Sequence, residues 1–400
     1  MRRRTFLRLA HAGMAVLPLS TFAEPLRNPS KIVKLGLIGC GGRGSWISTL
    51  FQSHGGFRFT ALADYFPERA RHLAPRLGVP EERCFSGLNG YRRVMESGVD
   101  GVVLQTPPYF FPIYAEAALN AGLHAYIAKP VAIDIPGTLK MQGLIARATR
   151  EKRVVMADYQ MPMAPVNREV ERRVKAGGLG RIQALFSSGW AGGNGYQDPP
   201  LGSTAENRIR DLVWCNDLAL GGDYIVHYDI HVIDTIVRLM GEPPVMAMGV
   251  ARAFRPSVHG DAMDSVSVIF KFRDGTIWTH QGIIGAYHDW LRAGRLTASI
   301  QGFKGSACLS YAGKSYLRGG PRHFGGGVPN PEASVRTNID TFWQSIVKGE
   351  YANAPALAVI NSNLTAILGR EAARRGISLD LATLIKENRP LIPDLTGLTL

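Results

Sequence analysis

The chain has 400 residues, of which 46% are hydrophobic and 9% aromatic, enough for about two domains with full cores. Its formal charge of +14 is spread thinly, with no basic run interleaved with aromatics, which argues against a nucleic-acid partner. Cys40, Cys84, Cys215 and Cys308 form no C-x-x-C pair, which excludes a zinc ribbon or a dithiol redox motif.

Residues 1–23 read as an export signal. Arg3-Arg4-Thr5-Phe6-Leu7-Arg8 has the twin-arginine pattern, His11 to Leu19 is mostly apolar, and Thr21-Phe22-Ala23 offers small residues for cleavage. This predicts an exported, periplasmic protein that engages the twin-arginine (Tat) machinery.

Lys34 to Gly44 carries the strongest local pattern. Leu35, Leu37 and Ile38 make a short buried strand, then Gly39, Gly41 and Gly44 fill G-x-G-x-x-G, and a helix follows. In that order the first glycine makes the turn, the second admits a pyrophosphate, and the third lets helix pack on strand. The loop residues Cys40, Gly42 and Arg43 belong to the same candidate dinucleotide site. The next strand, from Phe57, ends in Asp64, where such folds place the acid for a ribose 2′-hydroxyl. That favours NAD; Arg69 nearby leaves NADP as the alternative.

From Lys31 to Ala157 strands and helices alternate, which predicts a Rossmann-type, doubly wound parallel sheet over 31–157. Thr106-Pro107-Pro108 follows the strand Gly101–Gln105, at the carboxyl end where such sheets bind ligands. After Gln160 the texture changes. A helix over Asn167–Lys175, a strand over Ile182–Trp190, a loop from Gly192 to Arg208 and a helix over Ile225–Met240 precede successive strands between Val245 and Tyr311. The Asp274-Gly275 pair marks a hairpin. The fold class is therefore α/β plus α+β: a second domain over 158–334 built on an open, largely antiparallel sheet. Gly319 to Asn330 reads as a flexible loop, and C-terminal helices over 335–392 pack back on the core.

The blocks Gly39–Gly44, Thr106-Pro107-Pro108, Lys129-Pro130, Gly221-Gly222 leading to His231, and Leu364 to Ala372 occur in one order across residues 31 to 392. In this the chain resembles the glucose–fructose oxidoreductase, inositol dehydrogenase and MocA family (Gfo/Idh/MocA). The resemblance implies a dinucleotide domain and an open sheet used for substrate and for homo-oligomer contacts. It also implies NAD-dependent oxidation of a sugar or polyol hydroxyl.

The family's Glu-Lys-Pro appears here as Ala128-Lys129-Pro130. Lys129 resembles the lysine beside the nicotinamide and the reacting carbon, where an ammonium bonds the substrate oxygen and relays its proton. Loss of the glutamate removes a negative partner. His231 aligns with the family's histidine base, and His227 stands where the family has a carboxylate. On one helix the two would share a face, with Asp234 in reach to orient an imidazole or contact substrate. Tyr109 and Gln160 are further candidates for substrate contacts. Arg208, Trp214 and Asn216 precede the catalytic helix, and Tyr287, His288 and Trp290 form an aromatic cluster suited to sugar stacking.

Two other readings of these residues stand beside the leading one. H-x-x-x-H with Asp223, Asp229 or His280 is a metal half-site. Transient oxidation at a ring carbon would permit glycosidase, lyase or epimerase chemistry without net turnover of cofactor. A non-catalytic dinucleotide-holding protein is the third function class, and the presence of both Lys129 and His231 argues against it.

Overall fold

The computed structural model describes residues 31–191, 204–254, 259–285, 296–319 and 323–400. The export signal, most of the loop from Gly192, and the Tyr287, His288 and Trp290 cluster lie outside the described residues.

The first domain is a six-stranded parallel sheet. Its strands are β1 (Val33–Ile38), β2 (Phe57–Asp64), β3 (Cys84–Ser86), β4 (Gly101–Leu104), β5 (His124–Ala128) and β6 (Val155–Asp158), in the order β3-β2-β1-β4-β5-β6. Helices α1 (Gly42–His54), α2 (Pro67–Leu77), α3 (Gly90–Met95), α4 (Phe111–Asn120) and α5 (Ile135–Arg150) connect them. The central strands are buried on both faces, which is why they read as unbroken apolar runs such as Gly101-Val102-Val103-Leu104. The strand order reverses between β1 and β4, so the carboxyl ends of β1, β2 and β4 open onto one crevice. Cys84–Ser86 is too short and polar to announce itself as a strand; it is held by pairing with the end of β2.

The second domain begins with α6 (Pro165–Lys175) and β7 (Ile182–Ala191). Four short helices follow: α7 (Ala205–Ile209), α8 (Leu218–Gly221), α9 (Tyr224–His227) and α10 (Ile230–Met240). Then come β8 (Met246–Arg252), β9 (Ser265–Lys271), β10 (Ile277–Ile284), β11 (Leu296–Gly302), β12 (Gly305–Ser310), β13 (Gly313–Arg318), β14 (Phe324–Val328) and, late in the chain, β15 (Leu379–Asp380). They form one nine-stranded sheet, β14-β13-β12-β11-β7-β10-β9-β8-β15, antiparallel except for the parallel β7–β10 pair.

Two expectations fail here. The Gly319–Asn330 stretch is not all loop, because Phe324–Val328 pairs with β13 despite its three glycines. Ile225–Met240 is not one helix either. The chain breaks at Tyr228–Asp229 between α9 and α10.

The inner face of the large sheet packs on α10 and on α12 (Ala354–Arg375), with Trp278, Phe270 and Phe272 buried at its centre. Helix α11 (Pro331–Lys348) returns to the first domain, where Phe342 joins Phe51, Phe57 and Tyr126. The last helix, α13 (Leu381–Glu387), leads into the C-terminal segment. Among the described residues no helix is long and apolar enough to cross a membrane.

Candidate active site

The glycine turn after β1 is fixed by contacts that side chains would destroy. Gly39 sits at φ 96°, and a Cβ there would lie 2.6 Å from the Gln105 carbonyl oxygen. A Cβ on Gly44 would come within 1.9 Å of the Gly39 carbonyl oxygen, so helix and turn touch as backbone. Nothing lies within 4 Å of a Cβ built on Gly42, which leaves that backbone facing the cleft. Asp64, at the end of β2, is buried and accepts the N–H groups of Cys40 (2.7 Å) and Phe66 (3.0 Å). Burial raises its pKa despite those bonds and the charge of Arg69.

These residues wall a cleft of about 490 Å³. Gly39, Gly41, Gly42, Arg43, Asp64, Thr106, Pro107, Ala128 and Lys129 line it from the first domain, and Ile209, Asp211, Leu212, Trp214, Cys215 and His227 from the second. Gly44 lies beneath the turn, and Cys40 lines a shallower depression beside Gly41 and Arg69. Gln105, not singled out from the sequence, lines the cleft with both carboxamide atoms buried and without a hydrogen-bond partner among the described residues. A naked glycine turn, a carboxylate at the next strand end and an unsatisfied amide fit a dinucleotide's phosphates and ribose hydroxyls.

At the other end of the cleft Lys129 stands just beyond β5, and its peptide bond to Pro130 is cis. Its ammonium donates to the backbone carbonyl of His227, an oxygen left over at the end of α9. Burial, and then the Arg43 guanidinium, bring the Lys129 pKa down to about 8. Arg43 does not point at the phosphate turn; it crosses to an ion pair with Asp158 at the end of β6. Asn338 of α11 donates to the other oxygen of Asp158 at 2.8 Å.

His227 and His231 do not share one helix face, since the break at Tyr228 separates them. His227 lines the cleft against Trp214 (ring centroids 5.4 Å) and Tyr224 (4.9 Å). Burial, with Lys129 beside it, pushes its pKa down to about 3. His231 does not line the cleft; it lies behind it against the ring of Tyr311 at 4.7 Å, and burial and Lys129 push its pKa well below the usual range. Both imidazoles are therefore neutral at ordinary pH.

The remaining candidates separate. Gln160 joins the His231 side: its Oε1 accepts the Tyr311 hydroxyl at 3.2 Å and its Nε2 donates to the Asp158 carbonyl at 3.2 Å. Tyr109 packs edge-on against Phe110 and does not line the cleft. Asp234 is fully buried on α10, where it accepts from Ser362 at 2.8 Å; it neither lines the cleft nor bonds an imidazole. Arg208 pairs with Asp217. Of the residues weighed as further metal ligands, Asp223 pairs with Arg374 at 2.9 Å, while Asp229 and His280 bond each other at 3.0 Å. Among the described residues no three His, Cys, Asp or Glu side chains gather as a metal site.

Sequence reasoning passed over Tyr311 and Arg370. Arg370, on α12 and 3% exposed, donates to the carbonyls of Ile133 (2.6 Å) and Gly222 (3.0 Å). It ties the loop after Lys129 to the turn before α9. A buried arginine inside an apolar helix run was the available signal.

Two family descriptions match. "Oxidoreductase family, NAD-binding Rossmann fold" covers residues 33–159, and "GFO/IDH/MocA C-terminal domain" covers 167–308. The chain belongs to the Gfo/Idh/MocA oxidoreductase family. Its first domain is thus an NAD-binding Rossmann domain.

Curated relatives include an inositol 2-dehydrogenase of Rhizobium meliloti, 23% identical over 61% of this chain and 66% of that protein. A 2,7-anhydro-N-acetylneuraminate hydratase of Mediterraneibacter gnavus is 24% identical over 61% and 59%. The matches thus span less than two thirds of either relative. Of the solved structures, a levoglucosan dehydrogenase in complex with NADH and levoglucosan superposes with a TM-score of 0.72 at 19% identity, covering 88% of this chain and all of that one. An aldose-aldose oxidoreductase of Caulobacter crescentus gives 0.69 at 20% identity over 88% and 100%. These likenesses carry the fold.

Proposed function

We propose that the chain is an exported, NAD-dependent oxidoreductase that acts on a ring hydroxyl of a sugar or polyol and keeps its dinucleotide bound through turnover. The observation that carries this is the placement of Lys129 in the wall of the dinucleotide cleft, bonded to the His227 carbonyl beside the His227 ring. A bound nicotinamide would supply the redox chemistry. The chain's own groups handle the proton. Lys129, with a pKa of about 8, takes the hydroxyl proton when neutral and returns it when charged. Burial disfavours the imidazolium of His231, so as a neutral imidazole against Tyr311 it orients the hydroxyl by hydrogen bonding. His227 holds the ammonium through its carbonyl and lines the cleft with its ring.

Retention of the cofactor is supported by closure around the cleft. Asp211 of the second domain reaches Arg69 on α2 at 2.6 Å. The C-terminal segment lies along the same side, with Leu88 donating to the Thr399 carbonyl at 3.0 Å and Thr399 donating to the Tyr65 hydroxyl at 3.3 Å. Export follows from the paired arginines of the first residues; replacing Arg3 and Arg4 by lysine should leave the protein in the cytoplasm. A homo-oligomer through the outer face of the large sheet completes the reading. Mass spectrometry of the native protein should find NAD bound, and a panel of inositols and aldoses should then change the nicotinamide absorbance. Protein that purifies without dinucleotide and gains none on incubation with NAD would refute the proposal.

A second reading is redox-neutral chemistry, in which the ring is oxidised, altered and reduced again in one cycle. Two observations favour it: Ala128 in place of a glutamate, and similarity to the neuraminate hydratase and to a glycosyl hydrolase family 109 protein of Phocaeicola vulgatus, 30% identical over 28% of this chain. Release of phenol from an aryl glycoside without net NADH would select this reading over the first.

A further inference from the structure

A carboxylate lies within electrostatic reach of Lys129 even though Ala128 provides none. It is Asp229, in the break between α9 and α10, two residues beyond the carbonyl that Lys129 holds. Asp229 is 1% exposed. Its Oδ2 meets His280 Nε2 at 3.0 Å, His280 Nδ1 meets Ser187 Oγ at 2.8 Å, and Trp278 Nε1 donates to the same Oγ at 2.8 Å. All four side chains are buried.

The direction of this chain of hydrogen bonds follows from its far end. An indole N–H can only donate, so the Ser187 oxygen accepts from Trp278 and its own proton is free for His280 Nδ1. An ionised Asp229 can only accept, so His280 Nε2 donates to it, a bond that opposes the rise in its pKa caused by burial. The sheet is cut to admit that anion. Gly189 on β7 and Gly282 on β10 are paired neighbours, and a Cβ on either would lie 1.7 Å or 2.2 Å from an Asp229 oxygen. The remaining oxygen, Oδ1, has no hydrogen-bond partner among the described residues.

We propose that Asp229, seated in the Gly189–Gly282 notch and oriented by His280, is the positioning counter-charge of Lys129 and replaces the carboxylate missing at Ala128. The inference rests on the reading of Lys129 as the proton-carrying group. The other groups that act on Lys129 are Arg43 from α1, Asp158 from β6, Cys215 from the segment before α8, and the two imidazoles of α9 and α10. Asp158 is already paired with Arg43. Asp229 is the facing carboxylate that no arginine or lysine side chain holds by an ion pair among the described residues.

The test reads the Lys129 titration without turnover. The full chain is pulsed with acetic anhydride across pH, and acetylation of the Lys129 peptide is followed by mass spectrometry. The wild-type midpoint should lie near 8. Asp229→Asn keeps the shape and an acceptor for His280, and should lower the midpoint by up to about one pH unit, since loss of an opposite charge in electrostatic reach disfavours the ammonium. Adding Ala128→Glu to that variant should raise it again. A purely structural role would change thermal stability and leave the midpoint in place. An Asp229→Asn midpoint equal to wild type overturns the proposal. Should that variant not fold, His280→Gln carries the same test: loosening the carboxylate must also lower the midpoint, and an unchanged value overturns the proposal equally. Because labelling needs no substrate, a shifted midpoint in a protein without redox activity would sink the functional reading and spare this one. An unshifted midpoint in an active enzyme would do the reverse.

Discussion

Lys129 donates its ammonium to the backbone carbonyl of His227, and not to a carboxylate. The bond exists because α9 ends at His227, leaving a carbonyl at a helix C-terminus that favours a cation. It also draws Lys129 into the cleft wall, where burial and Arg43 depress its pKa to about 8.

With Lys129 as the proposed proton acceptor, alcohol oxidation requires its neutral amine, and the rate should rise with pH through a midpoint near 8. Carbonyl reduction needs the ammonium and should fall through the same midpoint. Lys129→Arg keeps a charge that does not titrate in this range; the rate should drop by about 10²–10⁴-fold and lose that pH dependence. Single-turnover absorbance of bound NAD across pH measures both effects.

Tyr311 separates packing from hydrogen bonding around His231. Tyr311→Phe keeps the ring contact at 4.7 Å and loses the bond to Gln160; one ordinary hydrogen bond predicts a fall in kcat of about fivefold. Tyr311→Ala also frees the imidazole and should cost more than the phenylalanine variant, with cofactor affinity unchanged in both. Equal kcat for the two variants would remove the ring contact from the mechanism.

How much of this was legible in the sequence depends on the range of the cause. The glycine turn, Asp64 and the Lys129 loop are local, so β1, β2 and α2 fall close to where the apolar pattern and Pro67 put them. The break at Tyr228–Asp229 was hidden because Ile225 to Met240 has helical spacing throughout. What breaks it is tertiary: Asp229 is drawn into a notch between two strands and bonded to His280, 51 residues away. Asp234 misled for the same reason, since its partner Ser362 comes from a distant helix. Strands β13 and β14 are specified by pairing at a sheet edge, which glycine-rich segments do not advertise.

Asp64 is predicted to carry the cofactor preference. One oxygen already accepts Cys40 N–H and the other Phe66 N–H, so the carboxylate is fixed before a ribose arrives. Asp64→Asn should weaken NAD binding by about tenfold or more, the scale of a hydrogen bond to a charged group. It should weaken NADP binding less, because repulsion of a 2′-phosphate disappears. Titration of the apo protein by intrinsic fluorescence gives both constants; equal loss for the two nucleotides would contradict the assignment.

His124 predicts a pH dependence of stability. Its Nδ1 accepts the Val154 N–H at 2.9 Å, and burial, then Arg153, lower its pKa from 6.5 to about 4. The unfolded chain therefore takes up this proton first as pH falls. The contribution is fully present above 6.5 and is lost between 6.5 and 4. His124→Asn keeps an acceptor and removes the titration. The stability of wild type relative to this variant should fall across that window, by at most about 3 kcal/mol. Urea unfolding at several pH values tests it; parallel pH profiles would contradict the buried neutral imidazole.

The last prediction concerns the outer face of the large sheet. The register sets Met248, Ile269, Thr279 and Phe186 in one row across β8, β9, β10 and β7. Met248, Ile269 and Phe186 are 43%, 44% and 47% exposed, with Val250 and Ile277 beside them at 67% and 53%. Five exposed large apolar side chains on one sheet face are unusual for a surface that stays in water. The same row offered twice suits a two-fold contact between copies, in which each residue meets the equivalent patch. Phe186→Glu with Ile269→Glu places four carboxylates in such a contact and should yield monomers by sedimentation at micromolar concentration. The cleft lies on the other side of the domain, beyond α9 and α10, so the double variant should still bind NAD. An oligomer of wild-type size in the double variant would rule out this face as the interface. A wild-type protein that sediments as a monomer would exclude the assembly itself.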